Sequence, residues 1–388
     1  MSETISMIPV ARPWLGEQEA EAARRAILSG WVTQGPEVAA FEQEFAASMG
    51  APHACAVSSC TTALHLALVA CGVAAGDEVV TVSHSFIATA NVVRYCGATP
   101  VFVDVQPGTF NIDPALVEDA MGPRTKAILV VHQFGMPCDL PAILEIGRRR
   151  AIPVVEDAAC AVGSEIDWNG RWERIGRPHG LVACFSFHPR KLLSTGDGGM
   201  LTTTDSALDQ QFRLLRHHGM NVSDAVRHTA SKVIQEEYPV LGYNYRMTDI
   251  QAAIGREQLK RLPAIVSRRR ALAARYQEGL AGVDGLQVPP EPEWARTNWQ
   301  SYAVHVVAGR QRQIMQALLD AGIATRRGAM NAHREGAYPA GTWRAPGPLR
   351  RSEEAQDSAI VLPLFHQLTE SDQDRVIAEV RRVVGGRS

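Results

Sequence analysis

The chain has 388 residues, 46% of them hydrophobic and 21% charged, with 39 Lys and Arg against 41 Asp and Glu for a formal net charge of −2. That length exceeds the range in which one hydrophobic core keeps growing, so a large unit and a smaller one are expected, with the composition of a soluble globular protein. The charge balance offers no dominant field to a nucleic acid or to a membrane surface. Seven scattered cysteines, odd in number and without CxxC spacing, argue against a disulfide framework or a zinc site. The histidines form no metal pattern either, because the adjacent His217 and His218 would point to different faces of a helix. The N-terminal MSETISMIPVARPWL lacks a basic region followed by a long apolar core, and no apolar run is long enough to span a bilayer; a cytoplasmic protein is expected.

Apolar residues fall at helical spacing over Glu17–Ile27 and Pro36–Met49, the latter with a first-turn proline. Beyond them, short apolar runs alternate with helical stretches. Strands are expected near His53–Val57, Glu78–Val82, Pro100–Asp104, Ala127–Val131 and Pro153–Glu156, with helices near Thr61–Cys71, Ile87–Cys96, Pro114–Met121 and Leu140–Arg149. This is a wound α/β pattern, which requires a mostly parallel sheet with ligands outside the carboxyl ends of the strands. Asn169-Gly170 marks a tight turn, and strand-like runs at Val182–Phe187 and Met200–Thr204 bracket SFHPRKLLSTGDGG, the segment best placed for catalysis.

The polar stretch Asn221–Tyr238 interrupts the order, as lids and interface segments do. Thr248–Leu262 and Arg268–Leu280 read as two helices, and the Pro-rich Val288–Ala295 as a boundary. A strand at Ser301–Val307 and helices near Arg310–Ala321 and Ser371–Val384 follow. The division expected is a large domain over residues 1–261, including the N-terminal helices, and a smaller C-terminal α/β domain over 262–388.

Lys191 lies just beyond an apolar strand, in a glycine-rich turn that ends Gly196-Asp197-Gly198-Gly199. A lysine held there with restricted solvation is available as a neutral amine; otherwise it is a surface loop residue. Asp157 ends the apolar run Val154-Val155-Glu156, where its carboxylate either faces a cationic ring or caps a helix. Ser58-Ser59-Cys60-Thr61-Thr62 follows a strand and opens a helix, whose free N–H groups make an anion site or are simply capped. The Gly196–Gly199 run has neither the dinucleotide-binding nor the P-loop order.

Taken together, the Ser/Thr-rich helix start, the aromatic after Gly76-Asp77-Glu78-Val79, the EDAA strand end and the FSFHPRK loop resemble the DegT/StrS family of sugar aminotransferases. Trp31–Pro36, Gly97–Asp104, Gly242–Met247 with Gln251-Ala252-Ala253, and Leu362–Phe365 extend the resemblance over nearly the whole chain. It implies a fold-type I transferase that uses pyridoxal 5'-phosphate, with the pyridoxamine form as intermediate. On that resemblance Lys191 carries the cofactor as a Schiff base and Asp157 pairs with its ring nitrogen. Cys60, Thr61 and Ser186 cradle its phosphate, and Phe86, otherwise a core aromatic, stacks on the ring. Asn244, otherwise a turn residue, matches a position lent to the neighbouring subunit's cofactor phosphate, so a homodimer with shared sites is implied. Two departures stand out, since family members often carry Gly at Cys60 and Gln or His at Cys160, and a contact from position 160 to the ring hydroxyl is in doubt.

The activity implied is transfer of an amino group from an amino acid, glutamate in first place, to a 3- or 4-keto sugar on a nucleotide. A diphosphate calls for cations, for which Arg326, Arg327, His333 and Arg334 are the candidates. A sugar dehydratase, an amino-acid lyase and a non-catalytic cofactor-binding regulator remain alternatives on the same scaffold. Lys191, where dehydratases of the family carry histidine, favours transamination.

Overall fold

Seven strands form the central sheet of the computed structural model, which describes residues 6–222, 227 and 230–386. In spatial order they are β1 (His53–Val57), β10 (Gly199–Thr203), β9 (Val182–Ser186), β6 (Val154–Asp157), β5 (Thr125–Val131), β2 (Glu78–Val82) and β4 (Thr99–Val103). β10 pairs antiparallel with both neighbours, and every other adjacent pair is parallel. The expected mostly parallel sheet is therefore present.

Strand period two sends alternate side chains to opposite faces. Ala54, Val80, Val101, Ile128, Val154 and Phe185 join one core with the helices α2 (Pro36–Met49), α5 (Pro114–Ala120) and α6 (Leu140–Arg150). Their neighbours Cys55, Val79, Leu129, Val155 and Cys184 join the other with α3 (Cys60–Ala70), α4 (Ala88–Tyr95) and α7 (Ser206–Leu215). Burial on both sides explains why these strands read as continuous apolar runs. α7 was not anticipated, although Asp205 caps Ala207 and Leu208, and Leu208, Phe212 and Leu215 follow at helical spacing.

The two helices expected at Thr248–Leu262 and Arg268–Leu280 are one, α8 (Asp249–Leu280), which runs on through Pro263. Thr248 and Gln251 form a capping box at its start, and α1 (Glu17–Ser29) packs along its first half. Leu262, Ile265 and Val266 belong to the sheet's core, whereas Leu272, Ala273, Tyr276 and Leu280 belong to a C-terminal cluster. The proline is tolerated inside the helix because tertiary packing holds both flanks.

The C-terminal cluster surrounds an antiparallel sheet of β11 (Leu286–Gln287), β13 (Tyr302–Val306), β16 (Ala359–Leu362) and β14 (Arg326–Arg327), with α9 (Gln311–Asp320) and α11 (Glu370–Gly385) beside it. The proline-rich segment after β11 returns to the large sheet's side, where β12 (Ala295–Arg296) pairs with β7 (Glu165–Trp168). β7 and β8 (Arg171–Arg174) form a hairpin, not itself anticipated, around the tight turn expected at Asn169-Gly170, both in left-handed backbone at φ 54° and 79°. β15 (Met330–Asn331) pairs with β3 (His84–Ser85), and α10 (Arg350–Ser358) packs against both. The ends of the polar Asn221–Tyr238 stretch are pinned together, Asn221 N–H donating to Glu237 O at 3.1 Å and Glu237 N–H to Asn221 Oδ1 at 3.0 Å. Residues 223–226 and 228–229 of that stretch lie outside the described residues. Among the described residues no helix is long and apolar enough to cross a membrane.

A buried ion cluster ties α2, β1 and α7 together. The Glu42 carboxylate accepts from Ala56 N–H at 2.9 Å, from Arg213 at 2.6 Å and from the buried Arg216. Burial opposes its charge, yet Arg216 and Arg213 overcome that and hold the carboxyl below its ordinary value. Replacing Glu42 with Gln should destabilise the fold by about 3 kcal/mol in denaturant titrations, because Arg216 is left buried without a counter-charge. A folding-lowered carboxylate stabilises above its unfolded pKa and loses that contribution as pH falls through the folded value. The loss in the variant should therefore shrink in acid.

Candidate active site

Four chain segments meet at the carboxyl ends of β1, β2, β6 and β9, the edge where wound sheets bind ligands. Asp157 is the last residue of β6, paired in register with Cys184 of β9, and is 5% exposed. It caps no helix. Its Oδ2 accepts from Thr89 Oγ1 at 2.8 Å and its Oδ1 from Ala159 N–H at 3.1 Å. Burial raises its pKa, and the Thr89 hydroxyl, the Ala159 N–H and the positive charge of Lys191 only partly offset this. Thr89 escaped notice in the sequence because it is one of several small polar residues in α4; it is itself bonded to Ser85 Oγ at 2.9 Å.

The lysine loop leaves β9 directly after Ser186 and is closed at its base, where Phe187 N–H donates to Gly198 O at 2.9 Å and Thr195 N–H to Phe187 O at 2.9 Å. Lys191 N–H donates to His188 O at 2.8 Å, and the next residues, Leu192 and Leu193, are buried in the core. These anchors fix the half-buried Lys191, whose Nζ lies 3.0 Å from Cys160 Sγ. Position 160 is held in turn by Asn298, whose Nδ2 donates at 2.8 Å to both Cys160 O and Val162 O. Asn298 carried no signal in the sequence.

At the start of α3, Ser59 Oγ accepts from Thr62 N–H at 3.2 Å and Ser59 O from Ala63 N–H at 3.1 Å. The Cys60 and Thr61 N–H groups find no protein acceptor among the described residues, as expected of a helix terminus that favours anions. Cys60 Sγ donates to Cys184 O at 3.6 Å, and burial pushes its thiol pKa well up, so it stays protonated. Gly199, paired with Ser186, lets the helix approach this closely, since a Cβ there would collide with the Ser59 carbonyl and Cys60 N. Ser186 and the opening turn of α3 are thus neighbours.

Phe86 is not a core aromatic but 65% exposed. It begins the turn that leads to Thr89, whose N–H donates to Phe86 O at 3.1 Å. The neighbouring His84 is buried without a ring hydrogen bond, which lowers its pKa to about 3 and keeps it neutral. Asn244 is exposed, in a segment fastened to the start of α3 by Ser58 N–H donating to Tyr245 O at 2.8 Å. Of the four candidate cations, Arg327 faces Glu335 at 3.7 Å and Arg334 is held bidentate by Asp357 at 2.9 Å. His333 bonds Ser83 Oγ at 2.7 Å and Glu353 at 3.2 Å. Among the described residues Arg326 is the one of the four without an acidic partner, and its Nε is buried without an acceptor. Among the described residues no group of three or more His, Cys, Asp or Glu is arranged to hold a metal.

A buried carboxylate facing a lysine, a helix start with two free N–H groups and a bare aromatic face fit a planar cationic ring carrying a phosphate. The model of the DegT/DnrJ/EryC1/StrS aminotransferase family matches residues 13–381. The spore coat polysaccharide biosynthesis protein SpsC of Bacillus subtilis (strain 168) is 38% identical over 98% of this chain and 97% of its own. The crystal structure of the aminotransferase TlmJ from Streptoalloteichus hindustanus superposes with a TM-score of 0.89 at 39% identity, covering 97% of this chain and 99% of that one. S. venezuelae DesV, solved in complex with a ketimine intermediate, gives a TM-score of 0.88 at 34% identity over 99% and 100%.

A carboxylate whose folded pKa is raised lowers stability as pH rises from its unfolded value through the raised one. The cofactor-free Asp157→Asn protein should therefore melt no lower than the parent at neutral pH, as read by scanning calorimetry. A clear fall in its melting temperature would show that the carboxylate stabilises the bare fold instead.

Proposed function

Because this chain belongs to the DegT/DnrJ/EryC1/StrS aminotransferase family, we propose that it moves an amino group from glutamate to a 3- or 4-keto sugar carried on a nucleoside diphosphate. It is a pyridoxal-phosphate-dependent transaminase of fold type I. The observation that carries the site assignment is a buried carboxylate, Asp157, and the loop of a fixed amine, Lys191, emerging from adjacent strand ends, near enough for the amine's charge to act on the carboxyl.

When bound, the cofactor supplies an aldehyde that condenses with amines and a ring that accepts electrons from the carbon losing its proton. The chain's own residues do the rest. Asp157 keeps a positive charge on the ring nitrogen, since its desolvated carboxylate is best satisfied by a cation. Thr89 aims that carboxylate. The N–H groups of Cys60 and Thr61, with the hydroxyls of Thr61 and Ser186, hold the phosphate, and Phe86 covers one ring face and excludes water. Cys160 Sγ meets Lys191 Nζ at 3.0 Å.

Lys191 Nζ, as a free amine, would take the proton from the donor's α-carbon. In the second half it returns a proton to the acceptor carbon that receives nitrogen. One amine on a fixed loop serves both directions, which favours transamination over dehydration. Asn244, exposed beside the start of α3, suits a phosphate contact across a homodimer with shared sites.

Borohydride treatment of the cofactor-loaded protein followed by peptide mapping should place the label on Lys191. Glutamate should convert the unreduced chromophore to the pyridoxamine form, and a panel of keto nucleotide sugars should restore it with an aminated product by mass. Lys191→Ala should lose turnover by a factor of at least about a thousand. Cofactor retained without a response to any amino acid would favour the regulatory reading.

A further inference from the structure

Arg190 directly precedes Lys191 in the lysine loop, and Arg326 starts β14 of the C-terminal sheet. Both line one cavity with Gln300 and Ser301, floored by Val361 and Leu362. Among the described residues neither guanidinium has an ion-pair or hydrogen-bond partner, and Arg326 Nε and Gln300 Oε1 are buried and unsatisfied. Arg326 feels burial first and the charge of Arg190 second, both of which lower its pKa, and it also senses Cys160, the residue that touches Lys191. Two neighbouring cations, one of them desolvated, with no carboxylate between them, form an anion site that the fold itself leaves unmatched.

We propose that Arg190 and Arg326 bind the carboxylate of the amino donor, an assignment that rests on the transaminase reading and deepens it. The chemistry of the two substrates separates them. In an α-amino acid the carboxylate is attached to the very carbon whose proton Lys191 removes, so its receptor must adjoin that lysine. In a nucleotide sugar the sugar ring stands between the reacting carbonyl and the diphosphate. A carboxylate accepting two charge-assisted bonds from paired guanidiniums also matches their fork geometry. Gln300 braces the site by donating from Nε2 to Arg190 O at 2.6 Å.

The test uses the cofactor-loaded protein and the variants Arg190→Gln and Arg326→Gln, each checked for unchanged chromophore and melting temperature. Calorimetry measures binding of 2-oxoglutarate, and separately of UDP and dTDP; stopped-flow absorbance follows the half-reaction with L-glutamate. Each substitution should weaken 2-oxoglutarate binding and raise the glutamate concentration needed for half-maximal rate about ten-fold or more, with nucleoside diphosphate binding unchanged. Unchanged 2-oxoglutarate binding, loss of nucleoside diphosphate binding, or loss of cofactor in place of either would overturn the assignment. Should Arg326→Gln fail to fold, the exposed Arg190 carries the test alone. A parent that binds 2-oxoglutarate through these arginines yet forms no pyridoxamine with any amino acid would sink the transaminase reading and leave the site standing.

Discussion

The parallel pairing of β6 with β9 is the constraint on which the candidate site depends. It sets Asp157 opposite Cys184, so a desolvated carboxylate and the loop bearing Lys191 emerge from adjacent strand ends. Neither residue has a local reason to find the other. Thirty-odd residues separate them, and the hairpin of β7 and β8 fills the interval while the two strands run side by side. β10 then turns back along β9, and its first residue, Gly199, lets the start of α3 close over the same edge.

The edge is polar where the rest of the sheet is apolar, and this costs stability. Asp157 is buried with a raised pKa, His84 is buried with both ring nitrogens unpaired, and Phe86 shows most of its ring to solvent. Elsewhere the buried Glu42 meets its counter-charges directly, in Arg213 and Arg216. Unmatched groups gathered along a ligand-binding edge point to a surface shaped for something other than the chain itself.

Much of this was legible in the sequence because its signals are local. Strands buried on both faces read as unbroken runs, such as Ile128–Val131, and Pro36, Asn169-Gly170 and the helix opening at Thr248 announce themselves within a few residues. The lysine loop and the EDAA strand end were visible for the same reason. What escaped depends on distance. Thr89 matters only because it reaches Asp157 from another helix, and Asn298 only because it grips the backbone at Cys160. β14 and β15 are two residues each, too short to carry a period. Among the four cations proposed from sequence, partners such as Glu335 and Asp357 decide which charge is already satisfied, and pairing of that kind is settled only in three dimensions.

The unbroken α8 has a further consequence for how the molecule comes apart. Its residues as far as Val266 are a wall of the sheet's core, and those from Leu272 onward a wall of the C-terminal cluster. Melting either cluster strips the apolar face from half of a helix whose other half remains in use, and a frayed half must be renucleated against the loss of chain entropy. The two clusters are thereby linked through shared backbone, which makes for concerted unfolding rather than the separate transitions of units joined by a loose linker.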